Sequence, residues 1–384
     1  MADDQLTPET LNAAQPKNMA VAAKMREFLS QGRWAPGDQI PTARQLAQMF
    51  GVSLSPVLQA LQILEKEGLL LRRARVGTFV AERRAKKDLL AFITATCDLE
   101  PYIHSLWGFE EEASRRGYHI LFCNANRVPE RLAQMANACI EQGAAGIAFT
   151  PPEGSFYMDW NRAFYKGVAE HGTPLVAITS QPFPEEDPAI ISAAIPDGVW
   201  QGRRMAAHLI DQGHTHLAFL YGRWSCTIED RKQGVIAEAK ERGLPPVDVR
   251  SVSPEELLRT GEVYDVTAML GDWLGQDPPI TAVVCCSDYA ARIVYEHAST
   301  LGMSIPEDIA VVGFDDSSFA PLLGDGGLTT IRVSYIEMGR SAAELLIAQI
   351  NDPGRPPRIL MSRGELVVRK SCRFLPSQVE SDRR

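Results

Sequence analysis

Residues 40–80 constrain the fold of this chain more strongly than any other stretch, because two short amphipathic segments are separated there by one tight turn. The first segment begins at Thr42, which forms a capping-box pattern with the residue three positions later. Gly51 supplies the turn, and Pro56 fits the first turn of a second helix that ends at Gly68. The residues that follow alternate as a β-hairpin. The stretch therefore predicts a helix-turn-helix followed by a hairpin wing.

The charge of the chain is unevenly distributed. The whole chain has 48 Asp+Glu and 39 Lys+Arg, yet residues 17–87 carry 13 Lys+Arg and only 5 Asp+Glu. Residues 88–384 carry 26 basic and 40 acidic side chains. A basic region at one end of an acidic chain suggests a polyanionic partner for that end, although chance clustering on a solvated face gives the same numbers. Together with the helix-turn-helix pattern, this charge favours double-stranded DNA over a purely structural three-helix module.

The second helix of the predicted module has one apolar and one polar face. Residues 17–31 have the apolar spacing of a further helix, which completes a small core. Such a second helix lies in the major groove of DNA while its apolar neighbours hold it in place. A hairpin with Arg72, Arg73 and Arg75 near its tip reaches phosphates or the adjacent minor groove.

Several short motifs of this region occur at the spacings of a known DNA-binding family. They are Gly37-Asp38, Ile40-Pro41-Thr42-Ala43-Arg44, Leu46-Ala47, Gly51-Val52-Ser53, Pro56-Val57, Ala60-Leu61, Leu64-Glu65, Glu67-Gly68-Leu69 and Gly77-Thr78-Phe79-Val80. With these motifs, residues 17–82 resemble the winged helix-turn-helix domain of the GntR family. The resemblance implies that this domain binds operator DNA.

The same resemblance implies roles for single residues. In the family, the position of Arg44 contacts phosphate or base, and the glycine at Gly77 lets the wing tip approach DNA. Where the family usually has two DNA-contacting arginines, this chain has Leu54 and Leu58, whose apolar side chains could meet thymine methyl groups. The candidate DNA-binding residues are therefore Thr42, Arg44, Ser53, Leu54, Ser55, Pro56, Leu58, Gln59, Arg72, Arg73, Arg75 and Gly77.

From Asp88 onward, β-branched apolar segments alternate with amphipathic ones. The predicted strands are LLAFITA, YHILFCN, AAGIAFT, PLVAITS, AIISAAI, HLAFLYG, TAVVCCS, IAVVGF and LTTIRVS. The predicted helices lie around 103–117, 129–142, 199–212, 227–242, 288–302 and 335–350. The pattern predicts an α/β body with about ten strands in two doubly wound parallel sheets.

Ligands of such sheets bind outside the carboxyl ends of the strands, so two facing sheets would form a cleft lined by those ends. The residues that follow the predicted strands are Thr96, Asp98, Asn124, Thr150, Thr179, Ser287, Asp288, Asp315 and Asp316. Their hydroxyl, amide and carboxylate groups suit a polyhydroxylated ligand such as a sugar.

The body also carries motifs of a second known family. They are EEASRRGY at 111–118, Gly213-His214, Gly222 with Arg231 and Gly234 downstream, Ser287-Asp288, IPEDI at 305–309, VGFDD at 312–316 and LTTI at 328–331. With them, residues 88–370 resemble the sensor domain of LacI-type repressors, akin to periplasmic sugar-binding proteins. The resemblance implies that Arg231 and Asp315 bind an effector and that Tyr102 packs on it.

The candidate effector-binding residues are Asp98, Tyr102, Asn124, Thr179, Arg231, Ser287, Asp288 and Asp315. Site residues also have structural alternatives: Arg231 as a helix-surface arginine, Asp315 as a loop cap, Tyr102 as a core aromatic, and Asp98 and Asn124 as turn residues. We expect Trp107 to be a core aromatic and His214 to be a structural hydrogen-bonding residue.

The expected organisation is a disordered tail (1–16), the winged helix-turn-helix domain (17–82), a linker (83–87), the effector-binding domain (88–370) and a second tail (371–384). Lobe 1 is expected at 88–193 and 331–345, and lobe 2 at 194–330 and 346–370. The opening residues have no apolar stretch typical of a secretory signal, and no segment approaches about 18 apolar residues. The seven cysteines are odd in number and mostly lie in apolar runs, which indicates reduced thiols in a cytoplasmic protein.

The first functional hypothesis is a dimeric transcription factor, in the form of a repressor controlled by a sugar-like effector, without a cofactor, a metal or a membrane partner. The second is an enzyme with a DNA-binding appendage, because GntR-type heads also occur on pyridoxal-phosphate-dependent aminotransferase-like bodies. The body is too short for that fold, and it has no P-loop, nucleophile elbow or HExxH motif. The third hypothesis is a transporter's solute-binding protein, which the basic head disfavours.

Overall fold

The computed structural model describes residues 16–67, 69–73, 76–80, 88–154, 157–182, 191–222, 224–251 and 266–373. The chain divides into two compact units, Met1–Lys87 and Asp88–Arg384, called here the head and the body. The division agrees with the boundary expected after residue 87. The expected tail up to residue 15, Arg75, the linker 83–87 and residues 374–384 lie outside the described residues.

The head has the predicted helix-turn-helix and wing. Its elements are α1 (Lys17–Ser30), α2 (Ala43–Met49), α3 (Leu54–Lys66), β1 (Leu70–Arg73) and β2 (Gly77–Val80). Thr42 caps α2 in the predicted capping box with Gln45. The two strands pair antiparallel, with Leu70 opposite Val80. Gln39 adds an antiparallel bridge to Phe79, so the segment before α2 supports the wing.

The core of the head fixes the orientation of α3. The residues that the helical spacing predicts to face inward are buried: Val57, Ala60, Leu61 and Leu64. Phe28 of α1 stacks on Phe50, with the ring centroids 6.0 Å apart. The guanidinium of Arg26 donates to both carboxylate oxygens of Glu67 at 2.9 and 2.5 Å, which ties α1 to the end of α3.

In chain order, the described part of the body contains β3 (Leu89–Thr94), α4 (Glu100–Arg115), β4 (His119–Asn124), α5 (Pro129–Glu141), β5 (Gly146–Phe149), α6 (Met158–Glu170), β6 (Leu175–Ile178), β7 (Ser192–Pro196), α7 (Gly198–Asp211), β8 (Leu217–Tyr221), α8 (Cys226–Glu241), β9 (Asp248–Ser251), α9 (Thr267–Leu274), β10 (Ala282–Cys285), α10 (Asp288–Thr300), β11 (Ala310–Asp315), β12 (Thr329–Arg332), α11 (Tyr335–Asn351), β13 (Ile359–Ser362) and β14 (Glu365–Val367). Each strand and helix named from the sequence coincides with an observed one. The sequence did not predict α6, α9, β9, β13 or β14.

Two six-stranded sheets form the two lobes. Lobe 1 has the strand order β4-β3-β5-β6-β7-β13, with every pair parallel. Lobe 2 has the order β9-β8-β10-β11-β12-β14, in which only the β12–β14 pair is antiparallel. The innermost strands of both sheets are fully buried, as expected for parallel strands covered on both faces.

Within the part of the body that the structure describes, the chain crosses between the lobes at three places: between β7 and α7, between β12 and α11, and between β13 and β14. The expected lobe boundaries were wrong at the last crossing, because β13 pairs with β7 and therefore belongs to lobe 1. The helix α11 also packs on α4, β5, β6 and β7 along its length. Residues 346–362 thus belong to lobe 1, not to lobe 2.

The structure shows where two residues with sequence-based expectations, Trp107 and His214, lie. Trp107 is 56% exposed, so the expectation that it lies in the core was wrong. His214 is buried in lobe 2, where its ring nitrogens lie 3.1 Å from Thr281 Oγ1 and 3.3 Å from the Cys372 carbonyl.

Among the described residues no single helix has the length and apolarity to cross a membrane; α2 and α3 pass that test only as a pair, across a bend of 113°.

Glycine residues allow two pairs of long helices in the body to approach each other closely. A Cβ placed on Gly202 of α7 would overlap the backbone of Arg231 in α8. A Cβ placed on Gly108 of α4 would overlap the backbone of Ile336 in α11. Glycine is therefore required where these helices cross, and the first crossing fixes the backbone that carries Arg231.

We expect Gly202→Ala to lower the free energy of unfolding of the body by about 3 kcal/mol, because the added methyl group forces α7 and α8 apart. Gly167→Ala in α6 is the matched control, since no atom lies within 4 Å of its added Cβ. Alanine loses less backbone conformational entropy on folding than glycine, so the control should be more stable by about 0.5–1 kcal/mol. Urea unfolding, monitored by tryptophan fluorescence, measures the free energy of unfolding of both variants. Equal stability of the two variants would contradict the close α7–α8 crossing.

Candidate functional site

A cavity of about 330 Å³ lies between the two lobes, at the carboxyl ends of their strands. This is the position at which open α/β sheets bind ligands. Lobe 1 contributes the polar lining residues Tyr102, Arg127, Glu153, Thr179, Ser180 and Tyr335. Lobe 2 contributes Ser225, Thr227, Arg231, Cys286, Ser287, Tyr289 and Asp315.

Arg231 and Asp315 converge on the lobe 2 wall of this cavity. The Arg231 side chain is almost fully buried and donates from Nη2 to Asp315 Oδ1 at 2.9 Å. Its other donors reach the carbonyl of Cys286 at 2.8 Å and Gln201 Oε1 at 3.0 Å. Burial alone would lower the pKa of Arg231, but the negative charge of Asp315 outweighs this, so the pKa is raised and the guanidinium stays charged.

Two tyrosines present hydroxyl groups from the lobe 1 side. Tyr102 in α4 donates to Glu153 Oε1 at 3.0 Å, and Tyr335 at the start of α11 donates to Asp315 Oδ1 at 2.7 Å. Burial, together with the neighbouring carboxylate, holds the pKa of each tyrosine well above its usual value. Both remain protonated at neutral pH and keep their O–H groups. Since Tyr335 belongs to lobe 1, its bond to Asp315 joins the two lobes within the cavity.

Backbone strain is concentrated around the cavity. Three lining residues that are not glycine have positive φ: Arg127 (62°), Thr179 (71°) and Asp315 (108°). A positive φ is unfavourable for any side chain and most of all for a β-branched residue such as Thr179. Strained backbone persists where the surrounding contacts determine the geometry, and it clusters at ligand sites.

Hydrogen bonds cross between the lobes around the cavity. Thr227 Oγ1 donates to the carbonyl of Thr179 at 3.0 Å. Outside the lining, the backbone N–H and the hydroxyl of Ser318 donate to the two carboxylate oxygens of Glu100 at 2.9 and 2.5 Å. These bonds depend on the distance between the lobes, so they are sensitive to opening of the cleft.

The structure places five of the eight sequence-predicted effector residues in the cavity lining: Tyr102, Thr179, Arg231, Ser287 and Asp315. The remaining three, Asp98, Asn124 and Asp288, do not line it. Asp98 accepts from Arg127 Nη2 at 3.2 Å, and Asn124 bonds to the backbone N–H of Asn126 and to Cys97 Sγ. Both side chains therefore support the loops after β3 and β4, which corrects their assignment to the ligand site.

Asp288 is buried behind the cavity with 0% exposure. Its Oδ1 accepts from Thr330 Oγ1 and its Oδ2 from the Ser317 N–H, both at 2.7 Å. Burial and the nearby charge of Asp315 raise the pKa of Asp288 well above its usual value. Its role in the structure is to hold the turn that follows Asp315, which corrects the expectation that it faces a ligand.

The other residues that follow the predicted strands are structural in the same way. Thr96 and Thr150 are buried, with Thr150 Oγ1 accepting from the Ala95 N–H. Asp316 accepts from Arg369 Nη2 at 2.6 Å and from Arg332 Nε at 2.8 Å. Asp316 therefore connects the turn after β11 to strand β12 and to the segment that follows β14.

Sequence reasoning missed Arg127, Glu153, Tyr289 and Tyr335. Glu153 lies in a proline-containing loop that has no motif of its own. Tyr335 directly follows the predicted strand LTTIRVS at 328–334, so the same search for residues at strand ends would have found it if it had been extended to that strand.

The predicted DNA-reading surface of the head is exposed. Arg44, Ser55, Gln59, Arg72 and Arg73 are exposed, and Ser53 is the N-cap of α3 without a side-chain cap bond. Thr42 caps α2, Pro56 is partly buried, and Gly77 has a φ of 146°, with no space for a Cβ beside Gln39. Leu54 and Leu58 are 40% and 38% exposed. Within the described residues, no cluster of three or more His, Cys, Asp or Glu could hold a metal ion.

Comparisons with known proteins match both units. The description "Bacterial regulatory proteins, gntR family" matches residues 17–80, and "Periplasmic binding protein-like domain" matches residues 206–372. The arabinose metabolism transcriptional repressor of Geobacillus stearothermophilus is 29% identical over 364 residues, covering 93% of this chain and 98% of the relative. The HTH-type transcriptional repressor PurR of Histophilus somni is 25% identical over 348 residues, covering 87% and 99%.

A solved structure has the same fold as the body. It is a periplasmic binding protein/LacI transcriptional regulator from Alkaliphilus metalliredigens in complex with D-xylulofuranose, with a TM-score of 0.61 and 21% identity. The match covers 74% of this chain and 99% of that chain.

Proposed function

Because this chain joins a GntR-type DNA-binding domain to a periplasmic-binding-protein-like body, we propose that it is a transcriptional repressor whose binding to operator DNA is controlled by a small sugar. The observation that carries the proposal is a cavity in which Arg231 and Asp315 converge, on the same chain as an exposed basic helix-turn-helix. Similarity over most of the chain to proteins named as transcriptional repressors supports it.

The effector that we propose is a neutral monosaccharide. Two basic residues, Arg127 and Arg231, and two acidic residues, Glu153 and Asp315, line the cavity, so its charges balance without a charged ligand. Tyrosine, serine and threonine hydroxyls supply donors and acceptors for a polyol. The volume of about 330 Å³ is at the lower end for small-molecule sites. The arabinose metabolism repressor and the D-xylulofuranose complex favour a pentose.

The proposed control works through closure of the lobes. A ligand shifts an equilibrium only if it binds the two states with different affinity. A sugar held by Arg231 of lobe 2 and Tyr102 of lobe 1 binds the closed state better, because only closure brings both residues to it. In a homodimer, closure would change the spacing of the two heads on DNA and release the operator.

The homodimer is part of the proposal because one winged head reads only a half-site, whereas a palindromic operator doubles the contacts. Two large aromatic side chains on lobe 1, Trp107 of α4 and Phe122 of the edge strand β4, are exposed and would be available to a second copy. In each head we propose that Arg44, Arg72 and Arg73 contact phosphates while α3 enters the major groove. We propose a cytoplasmic location, since the operator lies there.

The enzymatic alternative has less support. No lysine is among the described residues that line the cavity, so the site offers no Schiff-base nucleophile for pyridoxal phosphate. The relatives that align with most of the chain are named as regulators. A transporter's solute-binding protein would have no use for the basic head.

The test is a thermal-shift series with D- and L-pentoses, followed by DNA release. We expect one pentose, at about a hundredfold excess over its Kd, to raise the melting temperature of the body by about 5–10 °C. The same sugar should release the full chain from a duplex selected from a random library. Its mirror-image sugar is the control for solvent effects. No shift with any pentose or hexose would refute the effector class, and no selected duplex would refute DNA binding.

A further inference from the structure

The recognition helix α3 presents an apolar pair to solvent. Leu54 and Leu58 are four residues apart, so they lie on one face of the helix. They are 40% and 38% exposed, although Leu61 and Leu64, further along the same helix, are buried in the core. This exposed pair is therefore additional to the core of the head and is not a part of it.

The head also exposes polar and basic residues. Ser55 and Gln59 on the same helix are exposed, and the exposed arginines of the head include Arg44. Two neighbouring exposed leucines on one helix face form a small apolar surface within this polar region. The excess of basic residues over residues 17–87 makes a polyanion the complementary partner. The occupant that fits both the charge and the helix geometry is the major groove of DNA.

Only one base offers an apolar group in the major groove, namely thymine with its 5-methyl group. Leucine has no hydrogen-bonding group and cannot read guanine or adenine edges. We propose that Leu54 and Leu58 contact thymine methyl groups and so select thymine at fixed operator positions. The inference rests on the proposed DNA-binding function and adds the base that the head selects.

The expected effect follows from the size of one methyl group. Burial of one methyl group against a leucine corresponds to about a fourfold change in affinity. Replacing a contacted thymine with uracil removes only that methyl group and leaves the Watson–Crick pairing intact. Each contacted position should therefore lose about fourfold, and two such positions in one half-site about tenfold or more.

The experiment uses the full chain and begins from random DNA, so it does not depend on a known operator sequence. Bound duplexes are selected from a random thymine-containing library, and the consensus is resynthesised with uracil at each thymine in turn. We expect the loss at one or two positions per half-site and no change elsewhere. Leu54→Ala and Leu58→Ala should each abolish the thymine–uracil difference at one position. Because both side chains are on the surface, circular dichroism is expected to show folded variants.

Met19→Ala, at an exposed apolar residue of α1, is the matched control and should keep the full thymine–uracil difference. Tight binding with equal affinity for thymine and uracil duplexes would overturn the thymine inference and leave the proposed function intact. A thymine–uracil difference in affinity that persists in both leucine variants would likewise overturn the thymine inference and leave the proposed function intact. Failure to select any duplex would instead overturn the proposed function itself.

Discussion

Replacement of Arg231 with alanine is expected to lower the free energy of unfolding of the body by about 3–5 kcal/mol, the usual cost of breaking a buried ion pair by removing one partner. Arg231 is 3% exposed, and three of its donors are in hydrogen bonds at 2.8–3.0 Å. Without it, the buried Asp315 side chain loses its ion-pair partner and has the hydroxyl of Tyr335 as its remaining described partner. The Cys286 carbonyl also loses its donor.

The same substitution should abolish the sugar-induced rise in melting temperature. The proposed contact to the sugar is removed together with the ion pair that fixes the lobe 2 wall. Operator binding at a temperature below the lowered melting point should persist, because the head is a separate compact unit with its own core. Urea unfolding, thermal shift and a gel shift measure the three quantities on one preparation.

Arg203→Ala is the control for Arg231→Ala. Arg203 lies on the neighbouring helix α7 and pairs with Glu241 at 2.7 Å on the surface, where solvent screens the interaction. We expect little change in stability and a normal sugar response. If Arg231→Ala behaved like Arg203→Ala in both assays, Arg231 would be neither a buried structural cation nor a ligand residue.

Raising the salt concentration from 50 to 200 mM is expected to weaken operator binding by the full chain about a thousandfold. Each phosphate that the protein neutralises releases counterions, and about six contacts give a loss of this size. Two heads supply six arginines if Arg44, Arg72 and Arg73 each contact one phosphate. Fluorescence anisotropy at several salt concentrations gives the slope of the logarithm of affinity against the logarithm of salt concentration.

Removal of Arg72 and Arg73 together should make this slope shallower by about three to four in a dimer, since each phosphate contact contributes about 0.9. Lys17→Ala on α1 is the control, because it removes a charge at the far end of the head sequence. An unchanged slope in the double variant would refute phosphate contact by the wing. A parent slope about half as steep as expected would indicate that one head, rather than two, is bound to the duplex.

The head was the part most readily predicted from sequence. Its helices bury one face against a local core, so the spacing of Val57, Ala60, Leu61 and Leu64 determines both the helix and its orientation. The capping box at Thr42 depends on residues three positions apart and was correct in detail. The predicted strands of the body were also found, because buried parallel strands are continuous apolar runs.

The strands that escaped prediction have weak local patterns. Strands β9, β13 and β14 lie at sheet edges and contain exposed or charged residues, so their sequences resemble loops. They are strands because a neighbouring strand provides hydrogen-bonding partners. The error at residues 346–362 has the same origin, since the pairing of β13 with β7 joins positions more than 160 residues apart.

By itself, the sequence determined most of the helices, the buried strands, where the head ends, and which lobe 2 residues follow strand ends. These properties depend on neighbours within a few positions along the chain. Tertiary structure alone decided that Asp288 faces inward while Asp315 faces the cavity, and that Tyr335 reaches across from lobe 1. The physical reason is that burial and hydrogen-bond partners depend on how two sheets and three chain crossings meet in space, which no local spacing specifies.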